Sequence, residues 1–233
     1  MKRQVKGLLY FFATDIRHSV IVFWSILLFV LATVLTLSYF LFTSVDSKMT
    51  FGFPFPMYVY CLILGFITVK QSVPFAIKMG ATRKSLFVSL GIFFFIMAVA
   101  KSIIANTLQE IVQVIMDKTN FDAFMFLHPA MLVENNWLNR VLFDSAIMFF
   151  LFMFMFVIGL IFYKYGVLGG ASVAGVLAIL LLIALAKGWV IDFVTDLIRN
   201  IDMGFVGQLA GLGLLLFLIS YSFIRRITIE KRR

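Results

Sequence analysis

Six runs of about twenty apolar residues, each nearly free of charge, restrict what this chain can fold into. They cover approximately Val20–Phe42, Phe55–Val73, Leu86–Ala105, Val141–Tyr163, Val167–Ala186 and Val206–Phe223. Each is long enough for one helical crossing of a bilayer. The second is the shortest and opens with Pro54 and Pro56. Proline is tolerated there because the first amides of a helix have no intrahelical partner. Of the residues, 63% are hydrophobic and 13% charged, whereas soluble domains run near half apolar and a quarter charged. A soluble core cannot hide that much apolar surface, so lipid must serve as part of the solvent. The sequence predicts an all-α integral membrane protein with six transmembrane helices, and a single domain over residues 1–233.

The distribution of charge predicts the orientation. Segments read as inside hold 14 basic residues and two acids, Asp15 and Glu230. Segments read as outside hold five basic residues and nine acids, Asp144 and Glu110 among them. Cytoplasmic loops carry the excess of Lys and Arg, so both termini are expected inside. The formal charge of +9 is then a topology signal with some attraction to anionic lipid. Nucleic acid is not an expected partner. The first apolar run is too long for a signal-peptide core, has no A-x-A-like site after it, and reads as a retained helix.

Residues 1–18 have a pattern of their own. Val5, Leu8, Leu9, Phe12 and Ile16 recur at helical spacing, with Lys2, Lys6 and Arg17 opposite. This predicts an interfacial helix lying in the membrane plane before the chain turns into the first crossing. A frayed basic tail is the alternative. Residues 19–223 form the expected bundle and 224–233 a basic cytoplasmic tail. The longest external segment is about 106–140. Ile103, Leu108, Ile111, Val112 and Ile115 carry a helical period past the expected bilayer exit, and a second apolar set surrounds His128-Pro129. A small cap of external helices, lying on the membrane or on a partner, is expected; ordinary loop packing is the alternative. Gly166-x-x-x-Gly170, Ala171-x-x-x-Gly175 and Gly207-x-x-x-Gly211 mark expected close helix approaches, favoured within the chain over a dimer interface. The Phe/Met run from Phe149 to Phe156 reads as a mixture of lipid-facing and core positions.

No catalytic constellation is evident. His18 and His128, the two histidines, are expected on opposite sides of the membrane, and no H-E-x-x-H is present. The single cysteine, Cys61, lies in an apolar run and reads as a packing residue. Gly80-Ala81-Thr82-Arg83-Lys84-Ser85 lacks the glycine and spacing of a phosphate-binding loop. The chain is not expected to be an enzyme, and no cofactor or metal is expected. Lys101 is the one charge read as lying within a crossing, with three open roles: snorkelling to the headgroups, a place in a polar pathway, or an ion pair with an external acid.

The segment Lys70–Ser85, KQSVPFAIKMGATRKS, combines a proline, a short apolar patch, a glycine turn and a basic cluster. Thr82 is placed to cap the following helix. By itself this is either a positive-inside loop or a short helix and turn that carries motion from a soluble partner. The phrase FAIKMGATRKSLF resembles the loop between the second and third crossings of ABC-transporter permease subunits of the exporter class. The opening MKRQVKGLLYFFATDIRHS is similar to their interfacial elbow helix. The larger external segment departs from the pattern, lying between the third and fourth crossings rather than the fifth and sixth. The resemblance implies a permease subunit of a bacterial cell membrane, paired with a second permease chain and a separate ATP-binding subunit. Phe75, Met79, Gly80, Ala81, Thr82, Arg83 and Lys84 would form the coupling contact, with the elbow helix beside it. The implied cargo is hydrophobic or amphipathic: an antimicrobial peptide, a drug or a lipid. A stand-alone carrier or channel, or a non-transporting sensor or scaffold, are the competing readings.

Overall fold

The computed structural model describes residues 2–42, 49–119, 121, 123–133, 135–199 and 202–225. The basic tail from 226 and the loop 43–48 lie outside the described residues. Helix α1 runs Lys2–Phe42, α2 Pro54–Lys70, α3 Ser72–Lys78, α4 Arg83–Lys118, α5 Trp137–Ala186, α6 Trp189–Arg199 and α7 Met203–Arg225. Two short strands, β1 (Met49–Phe51) and β2 (Phe124–Phe126), pair in parallel, and a 3-10 turn covers Pro129–Leu132. Among the described residues, five helical segments are long and apolar enough to cross a membrane.

The fourth and fifth expected crossings both fall inside α5. A straight helix of its 50 residues would rise about 75 Å, more than twice a hydrocarbon core. The chain breaks that rod at Gly166, where φ is +71° and ψ −175°. That combination is open essentially to glycine alone. Gly166 is thus a turning point, and nothing lies within 4 Å of where its Cβ would be.

The expected turn between an interfacial helix and the first crossing is absent. Helix α1 is continuous for 41 residues, and one stripe explains why. Leu8, Phe12, Ile16, Leu27, Leu31 and Ser38 are buried, with Val20, Phe23, Trp24, Val34 and Leu35 half-buried between them. Their spacing stays helical from end to end, so the whole helix lies against the bundle along a single line. The opposite face, with Ile21, Ile26, Phe29 and Phe40, is exposed. Leu8, Phe12 and Ile16 therefore pack into the protein core instead of facing lipid, and Leu9 is half-buried beside them.

The expected helical cap is replaced by a ribbon. Helix α4 does continue beyond the expected crossing, to Lys118, as the periodicity predicts. Phe124 and Phe126, however, sit on β2 beside Phe51 of β1, with Met49 opposite Phe124 and Phe51 opposite Phe126. Phe53, Phe124 and Phe126 are buried beneath the ribbon, with ring centroids 6.2 Å (Phe53–Phe126) and 5.0 Å (Phe124–Phe126) apart. Ser38 of α1 donates to the Ala123 carbonyl at 2.8 Å.

The glycine contacts differ from those expected. Gly175, Gly207 and Gly211 face open space, and Gly170 sits against Phe162 of its own helix. Close approach falls to other glycines instead. A Cβ on Gly65 of α2 would lie 2.7 Å from the Phe152 carbonyl oxygen of α5, and one on Gly159 would lie 2.9 Å from Val69. Gly213 lets α7 meet Phe149 and Phe150. Between these contacts a phenylalanine core forms, with Phe94 stacked on Phe152 at 5.0 Å and Phe87 on Phe217 at 4.1 Å. The Phe149–Phe156 run splits as expected: Phe149, Phe152, Met153 and Phe156 are buried, and Phe154 is exposed.

Candidate functional site

The bundle has two unlike ends, one closed by the β-ribbon and the other by α3. At the α3 end, Gln71 joins α2 to α3 with almost no interruption, its amide bonding the Ile67 carbonyl at 3.0 Å. Helix α3 then stops in a paired closure: Ala81 N–H donates to the Ala76 carbonyl at 3.1 Å, and Gly80 N–H to the Ile77 carbonyl at 3.0 Å. Gly80 occupies the left-handed position, φ +84°, that this helix ending requires. Thr82 follows in extended conformation and caps α4, its hydroxyl accepting from the Ser85 amide at 3.2 Å. The short helix, turn and cap read from the sequence are all present.

This element is tied to its surroundings on several sides. Ser72 donates to the Asp15 carboxylate of α1 at 2.7 Å. Phe75 stacks on Phe11 at 5.1 Å, and Ser85 donates to the Gln4 side-chain carbonyl at 3.0 Å. The Arg83 guanidinium donates to the Ile224 carbonyl at 3.2 Å, in the last turn of α7. Val73, Ala76, Ser85 and Leu86 are buried beneath. Facing away are Phe75, 50% exposed, and Met79, 53% exposed, one helical turn apart. Lys78, Gly80, Thr82 and Lys84 are also exposed, with Ala81 and Arg83 partly so. Of the seven positions read as a contact surface, Arg83 is thus partly spent on an internal bond.

At the ribbon end the sequence reading needs correction. Lys101 does not snorkel. It is 2% exposed, and its Nζ lies 3.4 Å from the centroid of Tyr60 and 4.7 Å from that of Phe23. It has no hydrogen-bond partner and no ion pair among the described residues. The cation is held by the negative faces of two rings.

Nor is Lys101 the one charge inside. Asp144, read as a solvated external acid, is fully buried on α5. Its carboxylate receives the Tyr58 hydroxyl of α2 at 2.5 Å and the Asn106 amide of α4 at 2.7 Å. His128, also buried, contributes Nε2 at 3.3 Å. The imidazole Nδ1 accepts from the Ala130 amide at 3.0 Å, so the ring proton belongs on Nε2 and points at Asp144. One carboxylate thereby joins α2, α4, α5 and the segment after β2. Arg140, one turn before Asp144, is buried too and binds Glu110 and Gln113 of α4, the latter at 3.1 Å.

The signal for this cluster was in the sequence. Ser102, Asn106, Gln109 and Gln113 follow one another at i, i+4, i+7 and i+11, a single face of α4, and Arg140-x-x-x-Asp144 marks a face of α5. Reading the apolar residues of α4 alone finds its outer face: Ile103, Ile104, Ile111 and Ile115 are exposed, while the polar stripe turns inward. No group of three or more metal-ligating side chains gathers among the described residues.

Comparison of the chain with known protein families, curated proteins and solved structures finds no match.

Proposed function

We propose that this chain is the membrane-spanning permease subunit of an ATP-driven transporter of the ABC exporter class. In this reading it crosses a bacterial plasma membrane six times, the two halves of α5 counting as separate crossings, with both termini cytoplasmic. The ribbon end faces outside and the α3 end faces the cytoplasm. Hydrolysis belongs to a separate ATP-binding subunit, and a second permease chain completes the assembly. The cargo is hydrophobic or amphipathic.

The observation that carries the reading is the form of the α3 element. A short helix and turn, fastened to α1, α2, α4 and α7, presents Phe75 and Met79 outward beside Lys78 and Lys84. Exposed apolar side chains on a fastened element beyond the lipid suit a protein partner. Bonds into four helices let a displacement of that partner bias the bundle, which is what coupling requires.

A second reading has an observation of its own. A stand-alone carrier needs ionisable groups inside the bundle, and Asp144, His128 and Lys101 supply them. The same experiment weighs both. Tagged chain is purified in gentle detergent from its native membrane, and its companions are identified by mass spectrometry. A stoichiometric soluble ATPase, lost when Phe75 and Met79 are replaced by serine, supports the permease. Isolation of the chain alone, with transport in ATP-free vesicles that fails in Asp144→Asn, supports the carrier.

A further inference from the structure

Among the described residues, the buried side-chain atoms that lack a hydrogen-bond partner are Lys101 Nζ, Asn106 Oδ1, both polar atoms of Gln109, Arg140 Nε and Ser145 Oγ. All six belong to two short stretches, 101–109 of α4 and 140–145 of α5. These stretches meet each other: Ser102 donates to the Val141 carbonyl at 2.8 Å, and Asn106 reaches Asp144. Buried polar groups are paired almost without exception, and where protein cannot pair them water does. Left bare, such groups weigh against the folded state, because each has given up its water without a replacement. Scattered orphans could be written off singly; six on facing stretches of two helices point to one shared solvent.

The arrangement has a direction. Along α4, Asp117 is exposed, Gln113 and Glu110 half-buried, and Gln109, Asn106, Ser102 and Lys101 buried. Polar side chains therefore lead inward from the ribbon end at successive turns. Beyond Lys101 the same helix offers Ala98, Phe94 and Phe93, all buried and apolar, so the polar lining stops there. Lys101 itself is closed off by Tyr60 and Phe23.

We infer that the α4–α5 seam is a water-accessible half-path, open at the ribbon end and ending at Lys101. Its ligand is water, together with hydrophilic solutes small enough to follow water between two helices. From the ribbon end the path passes the Arg140–Glu110 ion pair, then the Asp144 carboxylate with its Tyr58, Asn106 and His128 donors, and reaches Lys101 last. This inference stands on the buried polar atoms and holds with or without an ATPase partner.

The test uses the full chain in its membrane. Cys61, the single cysteine, is replaced by alanine, and single cysteines are placed at Gln113, Gln109, Asn106, Ser102 and Ala98. Ile96 and Ile104, exposed on the apolar face within the expected crossing, serve as lipid-facing references, and Asp117 as the open one. A small charged methanethiosulfonate reagent, whose outer sulfur a water-exposed thiolate attacks to form a mixed disulfide with release of methanesulfinate, is applied to each side in turn and the mass shift followed over time. The half-path predicts reaction at 113, 109, 106 and 102 from the ribbon side, at least tenfold faster than at 96 and 104, with no reaction at 98. Rates at 109 and 106 equal to those at 96 and 104 would overturn it. Reaction at 98 would overturn the end at Lys101. Against the chance that cysteines disturb the seam, hydroxyl radicals generated in the unsubstituted protein give a second reading. His128, though buried, should be oxidised well above Phe152 of the core after correction for intrinsic reactivity; equal protection overturns the proposal.

Discussion

The ribbon end and the α3 end handle polar groups in opposite ways. At the ribbon end, charges and amides turn inward: Asp144, Arg140, His128 and Lys101 are buried among helices whose outer faces are apolar. At the α3 end, inward bonds are made by small hydroxyls and backbone, while lysines, Phe75 and Met79 point out. The first end is organised around what it encloses, the second around what it displays. The difference teaches that substitutions at the two ends should fail differently: ribbon-end changes in stability, α3-end changes in communication.

The sharpest way to break this contrast is Asp144→Ala. It strips the hydroxyl of Tyr58, the amide of Asn106 and the Nε2 proton of His128 of their common acceptor. Bonds to charged groups contribute about 1.5–3 kcal/mol each, so a loss of about 3 kcal/mol or more is expected. Thermal unfolding in detergent should show it, and an unchanged midpoint would mean that the network does not hold the bundle. Next in size is Gly166→Ala. At φ +71° and ψ −175° a Cβ is strained by about 1–3 kcal/mol, although space around it is open. The same thermal measurement, compared with Gly175→Ala as a helical control, isolates the backbone cost.

Thr82→Ala should cost about 1 kcal/mol through the lost cap of α4, with Thr82→Ser restoring most of it. Smallest in stability is Lys101→Met. Replacing a buried charge by an apolar chain of similar length is often neutral or stabilising, whereas Lys101→Ala leaves a cavity beneath Tyr60 and should lower the midpoint. A Met variant as damaged as the Ala variant would show that the cation itself stabilises the ribbon end. At the α3 end, the double variant Arg83→Glu, Lys84→Glu should leave insertion intact and lower the thermal midpoint only by the lost Arg83–Ile224 bond, about 1 kcal/mol. In the proposed assembly it should abolish transport-coupled ATP hydrolysis, read in proteoliposomes with the partner present.

How far the fold was legible depends on the range of the forces involved. The apolar runs, the extension of α4 and the cap at Thr82 are local, set by residues within a few turns, and the sequence carries them openly. The continuity of α1 was equally local but masked: Arg17 and His18 read as a boundary, while the buried stripe passes them on the other face. Asp144 was misplaced because a charge near the start of an apolar run looks like a loop charge, and only its partners from α2, α4 and the segment after β2 show otherwise. The β-ribbon was not legible. Its strands have three residues each and pair across an intervening stretch that includes α2, α3 and α4, so no local pattern announces it. The glycines misled for a related reason: spacing identifies where backbones can approach, and tertiary packing decides which of them do.

Helix α1 makes contact at both ends, with α3 through Asp15 and Phe11 and with the ribbon segment through Ser38. From Asp15 to Ser38 a helix rises about 35 Å. If it moves as a stiff arm, a tilt of about 10° around the Asp15 contact swings Ser38 sideways by about 6 Å, twice the length of the hydrogen bond it makes there. Such a rod would act as a lever with its fulcrum at one end of the molecule and its load at the other, and the display surface and the enclosed charges would share it.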